Sequence, residues 1–250
     1  MQTSLHLPVA KPRKRPKKAN KHGGKRPGAG RPAKGPRPSE RHEVRARVTR
    51  HTPVHVVMRT LPNVPNLRSR AAYAAIRDAM TLMLVRELNC TDPAKRFRIV
   101  HFSIQRTHLH AIVEAHDQYA LAAGMQVLQI AIARRINRAF ARTKGLHVFA
   151  DRYHAVVLSS PRQMRNTLAY VLNNWRHHRE DRGKTWTVDP YSTAWQFDGW
   201  RERVGTPFTF RVNEAYDPLP VWLPRSWLLR LGWRRHARLI ALGEVPGGRE

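Results

Sequence analysis

Phe102-Ser103-Ile104-Gln105-Arg106-Thr107-His108-Leu109-His110-Ala111-Ile112-Val113-Glu114 is the stretch on which the reading of this chain turns. Thr107 to Glu114 has the alternation and β-branched content of a strand, so His108 and His110 point to one face while Leu109 and Ala111 point to the other. Arg96 to Ile104 reads as the strand before it, and a tight turn near Gln105-Arg106 joins the two into a hairpin. Two imidazoles at i and i+2 on one face can reach a single ion. Alone the triplet is weak, because 14 His among 250 residues make His-x-His expected about once by chance.

Outward from the hairpin, Val54 to Leu61 is β-branched enough for a first strand. Leu67 to Leu88 places Ala72, Ala75, Ile76, Ala79 and Met83 at helical spacing. Tyr119 to Arg142 is a second helix, with Leu121, Met125, Leu128, Ile132 and Ile136 on its core stripe and Arg134, Arg135, Arg138 and Arg142 elsewhere. Val148 to Leu158 gives a fourth strand, and Ser159-Ser160-Pro161 starts a third helix running to His178. Strand, helix, strand, strand, helix, strand is the order of an α+β, ferredoxin-like split βαβ antiparallel sheet with packed helices.

Composition narrows the partners. The formal net charge is +29, from 46 Lys and Arg against 17 Asp and Glu, and it predicts a polyanion, nucleic acid first. No run of about 18 apolar residues exists to span a bilayer, so no membrane partner is expected. The first ten residues lack the apolar core of a signal peptide, which predicts a cytoplasmic, nucleoid-associated protein. The single Cys90 cannot form an internal disulfide and reads as a buried apolar residue.

Three segments follow. Residues 1–43 read as a disordered basic arm; between Lys11 and Arg41 stand thirteen Lys and Arg with one acid and almost nothing apolar. Within it, Gly30-Arg31-Pro32 resembles the core of an AT-hook, so Arg26 and Arg31 are candidates for minor-groove or phosphate contact. Residues 44–182 hold the sheet and helices. Residues 183–250 form a Trp- and Arg-rich C-terminal extension, packed on the core or on DNA, with a helix expected over Arg225 to Leu242.

On the third helix Tyr170 and Asn174 share a face, with His177 and His178 a turn further. A helical tyrosine is usually a core residue. Here it accompanies a carboxamide and a separate His pair.

These residues resemble the HUH-superfamily single-tyrosine transposases, above all the branch of REP-associated tyrosine transposases. The resemblance rests on Thr107-His108-Leu109-His110, on Val148 to His154, and on Arg165-Asn166-Thr167-Leu168-Ala169-Tyr170-Val171-Leu172-Asn173-Asn174, in family order. It implies a nuclease and strand transferase acting on single-stranded DNA with hairpin or palindromic sites. Tyr170 would be the nucleophile, and His108, His110 and Asn174 would hold Mg2+ or Mn2+. Asn173 stays open as the alternative third ligand, and Tyr153, the other tyrosine in a matching motif, reads as structural or DNA-contacting. Further DNA contacts are expected from Arg152, Arg165, Arg176, His177, Arg234 and Arg235. Relatives include monomers and homodimers, and either state is compatible with the sequence. The competing reading is a basic DNA-binding protein that keeps the fold without the reaction.

Overall fold

Six elements build the sheet layer in the expected order: β1 (Val54–Arg59), α1 (Arg70–Leu88), β2 (Phe97–Ile104), β3 (His108–Ala115), α2 (Gln118–Ala139) and β4 (His154–Val157). The computed structural model describes residues 47–143, 145–204, 216–235 and 238–245; the basic arm, with Arg26 and Arg31, lies outside the described residues. The sheet order is β2-β3-β1-β4, every neighbour antiparallel, which is the ferredoxin-like split βαβ arrangement.

Local chemistry sets the helix starts. The Ser69 hydroxyl accepts the Ala72 N–H at the head of α1, and the Asp117 carboxylate accepts the N–H groups of Tyr119 and Ala120 at the head of α2. α1 and α2 cover one face of the sheet, burying Ile76, Ala79, Met80, Leu121, Met125 and Leu128 against Val54, Val56, Met58, Leu109 and Ala111. Gly124 permits that approach, because a Cβ there would lie 2.2 Å from the Phe97 ring.

The other face belongs to α3 (Pro161–His177) and the C-terminal segment. The Ser160 hydroxyl accepts the Gln163 backbone N–H and the Gln163 side-chain Oε1 accepts the Ser159 N–H, so the helix start is closed by side chains from both sides. Trp175, Trp200, Trp233, Phe197 and Leu228 fill a second core between α3, β2 and the chain beyond residue 188. A register irregularity between Ile99 and His101 turns consecutive residues, Val100 and His101, toward this core. The exposed edge of β2 is covered by residues 191–193, through Ile104 N–H to Tyr191 O and Thr193 N–H to Phe102 O. Arg68 clamps the same segment with a two-pronged buried ion pair to Asp189.

Three sequence expectations are corrected, and Tyr153 takes the structural role of the two expected of it. β4 is shorter than Val148 to Leu158: Phe149 pairs with Thr60 in an isolated bridge, and the chain bends at Asp151 before rejoining β1. Tyr153 is buried in the core on the α1–α2 side, away from α3. Cys90 is only half-buried, its thiol donating to the Asp92 carbonyl. The long helix over Arg225 to Leu242 is instead α4 (Trp227–Arg230) and a 3-10 turn at Gly232–Arg235. A Cβ at Gly232 would sit 2.6 Å from the Trp227 ring, so the chain folds back on that indole rather than continuing the helix.

Candidate active site

Strand parity assembles the site on the α3 side of the sheet. On β3, Leu109, Ala111 and Val113 enter the first core, which leaves His108, His110 and Ile112 facing α3. On β1 the same alternation turns His55, Val57 and Arg59 to that face, with Val57 opposite His110 and Arg59 opposite His108. From α3, Tyr170 reaches down on them. Its ring centroid is 5.2 Å from that of His110 and 6.0 Å from that of His55, both edge-on. His108 stands 4.8 Å from His110 and 5.2 Å from His178, while His177 is 6.4 Å from Tyr170. Tyr170, His108, His110 and Asn174, four residues named from sequence, are therefore presented by adjacent elements.

Burial decides their protonation. His108 is pushed down to about 4 by burial, helped by His178 and Arg59, and His55 is pushed down to about 4 by burial and then by His154. His110 falls well below the ordinary imidazole range, again first through burial. Burial raises the Tyr170 phenol, and the Arg59 guanidinium pulls it the other way. Neutral imidazoles keep a lone pair for a metal; a buried phenol needs a cation to ionise.

Unpartnered atoms test the fit of a metal. His110 Nε2 and both carboxamide atoms of Asn174 are buried without a hydrogen-bond partner, and Asn174 is 0% exposed. Buried polar groups are almost always satisfied, so orphans from two elements call for an unseen partner. Asn173 is different: its Nδ2 donates to the Ala241 carbonyl at 3.0 Å, on the far side of α3. Among the described residues no three His, Cys, Asp or Glu side chains are placed to hold a metal ion. The set here is two imidazoles and a carboxamide, neutral donors that suit a divalent ion with open positions for substrate.

The expected DNA contacts divide. Arg165 gives both prongs to Glu244 and bonds the Arg238 and Leu239 carbonyls; Arg176 bonds Asp181 and the Thr187 and Leu242 carbonyls. These donors are engaged within the protein. Arg152, His177, Arg234 and Arg235 are exposed; Arg234 pairs with Asp198, and the Arg235 guanidinium lies over the Trp227 ring. Sequence reading missed His55 and Arg59. Their alternation in Val54-His55-Val56-Val57-Met58-Arg59 was visible, but not that this strand lies beside the His pair.

Residues 54–174 match the family model described as IS200-like transposase, a span that runs from the first residue of β1 to Asn174 and takes in His55, Arg59, the His pair and Tyr170. This segment is similar to IS200-like transposases. Solved structures similar to the chain include a REP-associated tyrosine transposase bound to a REP hairpin, at 13% identity over 62% of this chain and 84% of that one, with a TM-score of 0.47. A Deinococcus radiodurans R1 protein assigned as a transposase matches at 16% identity over 57% of this chain and 95% of that one, with a TM-score of 0.35. No curated protein matches the chain. Among the described residues no helix of the protein is long and apolar enough to cross a membrane.

Proposed function

We propose that this protein is a transposase that cuts and rejoins single-stranded DNA, folded into hairpin or palindromic sites, through a covalent bond to Tyr170. The observation that carries this reading is one half-buried phenol on α3 set against His110 of β3, with unpartnered buried atoms on His110 and on Asn174, one helical turn from the phenol.

His108, His110 and Asn174 would hold a divalent ion, Mn2+ or Mg2+, with the two imidazoles favouring Mn2+. When bound, the ion supplies Lewis-acid stabilisation of charge on the scissile phosphate. Tyr170 Oη attacks phosphorus, the bond to the 3′ oxygen breaks, and that oxygen leaves as a 3′-hydroxyl. The 5′ phosphate stays on the tyrosine. The phenol gives up its proton as it attacks; the raised pKa makes this costly, and Arg59 offsets the cost with positive charge. A free 3′-hydroxyl can attack the phosphotyrosine in return and release the phenol, so joining needs no nucleotide cofactor. All the groups named come from one chain. The +29 charge supports a DNA partner and a place on the nucleoid.

The test is denaturing gel electrophoresis after incubation with labelled single-stranded DNA from the flanks of the protein's own locus, with Mn2+ or with EDTA. A metal-dependent shifted band that Tyr170→Phe lacks is expected, with hairpin binding kept in the variant. An adduct on Tyr170→Phe would refute the nucleophile. No adduct on the wild type, with tight hairpin binding, would establish the non-catalytic DNA-binding reading instead.

A further inference from the structure

His55 lies diagonally across the β1–β3 ladder from His110, on the same face, and is named by none of the chemistry above. The two rings are nearly parallel, 13° apart with centroids 5.4 Å apart, and His55 Nε2 is 3.1 Å from His110 Nδ1. That separation is a hydrogen bond between two imidazoles, so one of the two nitrogens carries a proton and the other does not.

The remaining nitrogen of His110 settles which. His110 Nε2 is buried and has no partner. A proton on Nε2 would leave a buried N–H donor without an acceptor. A proton on Nδ1 is satisfied at once by His55, and it leaves the Nε2 lone pair free. A histidine binds metal through its unprotonated nitrogen, and the bond made by its other nitrogen fixes which one that is.

We propose that His55 is a positioning residue for His110: its Nε2 accepts the Nδ1–H of His110, which locks the tautomer and ring orientation and aims the Nε2 lone pair into the site. His55 itself must then carry its proton on Nδ1. Its side chain is held for the task by the strand, with Val54 and Val56 on either side of it buried in the opposite core. The tautomer is a property of the metal-free protein. Its consequence for metal affinity rests on His110 being a ligand, as proposed above.

The experiment uses the full chain with 15N-labelled histidine. Long-range 1H–15N correlation spectra in EDTA at neutral pH assign the tautomer of His110, whose signals are identified by their loss in His110→Ala. The expected result is Nδ1 protonated and Nε2 unprotonated in the wild type. His55→Gln, whose Oε1 can still accept, keeps that pattern, whereas His55→Phe gives a mixture of tautomers. Mn2+ affinity, followed by the electron paramagnetic resonance of free Mn2+, is expected to fall about 10–100-fold in His55→Phe and to recover in His55→Gln. A wild-type His110 protonated on Nε2 overturns the proposal, whatever the His55 variants show. Unchanged Mn2+ affinity in a folded His55→Phe overturns it as well. Absence of Mn2+ binding in the wild type, beside the expected tautomer, sinks the ligand set and leaves the orienting bond established.

Discussion

Asn174→Leu should make the metal-free protein more stable. Asn174 is 0% exposed and neither atom of its carboxamide has a hydrogen-bond partner. Each buried, unsatisfied polar group costs about 1–3 kcal/mol relative to its hydrated state. Leucine forks at the same atom but is bulkier, with two methyl groups on a tetrahedral Cγ, so strain of about 1–2 kcal/mol takes back part of that gain. The net expectation is stabilisation by about 1–2 kcal/mol, or about 2–8 °C in Tm for a chain of this size. Asn173→Leu is the internal control. It removes the bond from Nδ2 to the Ala241 carbonyl and orphans that carbonyl, so it should destabilise by about 1–3 kcal/mol. Urea unfolding in EDTA reads both signs, and a repeat with Mn2+ should show the wild type gaining stability that Asn174→Leu does not gain. If Asn174→Leu loses more than about 1 kcal/mol in EDTA, the carboxamide is satisfied in the metal-free state and the reasoning from orphaned atoms fails.

Arg59→Ala is expected to slow cleavage about 100-fold, the scale on which one preorganised charge contributes to a transition state. Because burial raises the Tyr170 phenol and Arg59 lowers it, the rising limb of the pH–rate profile should also move to higher pH, and Arg59→Lys should restore part of both; an unmoved profile counts against Arg59. His101, buried and pushed down to about 4 by desolvation, makes the fold acid-sensitive. The unfolded chain takes up this proton near pH 6.5 and the folded chain does not until about 4, so stability is full above 6.5 and falls on acidification between those values. His101→Gln, compared with the wild type at pH 7 and pH 4.5, should lose less stability by about 2–3 kcal/mol; equal losses would show that the ring titrates normally.

The ferredoxin-like core was legible because its signals are local. Leu121, Met125, Leu128, Ile132 and Ile136 repeat at helical spacing, Leu109, Ala111 and Val113 alternate, and Ser160-Pro161 marks a helix start that the structure reproduces. Tyr170 and Asn174 could be paired from i+4 spacing, and His108 and His110 from i+2. What joined the two pairs was a resemblance, since periodicity does not say which face of a helix meets which face of a sheet. His55 and Arg59 were invisible for the same reason: a strand's parity is readable, its neighbour is not. The structural bonds of Arg165 and Arg176 were equally hidden, because their partners at Glu244 and Leu242 lie 79 and 66 residues away. The expected C-terminal helix failed through Gly232, whose missing side chain lets the chain fold back over Trp227.

Arg165, Asn173 and Arg176 tie the back of α3 to residues 238–244, while its front carries Tyr170 over the sheet. The helix is thus gripped from behind along most of its length. For the proposed reaction the consequence is mechanical: a DNA end attached to Tyr170 is moored to the body of the protein rather than carried on a swinging arm. Travel between cutting and joining then falls to the nucleic acid, whose incoming 3′ end must be brought to a fixed berth. The folded shape of the DNA, more than any excursion of the protein, would decide which two ends meet.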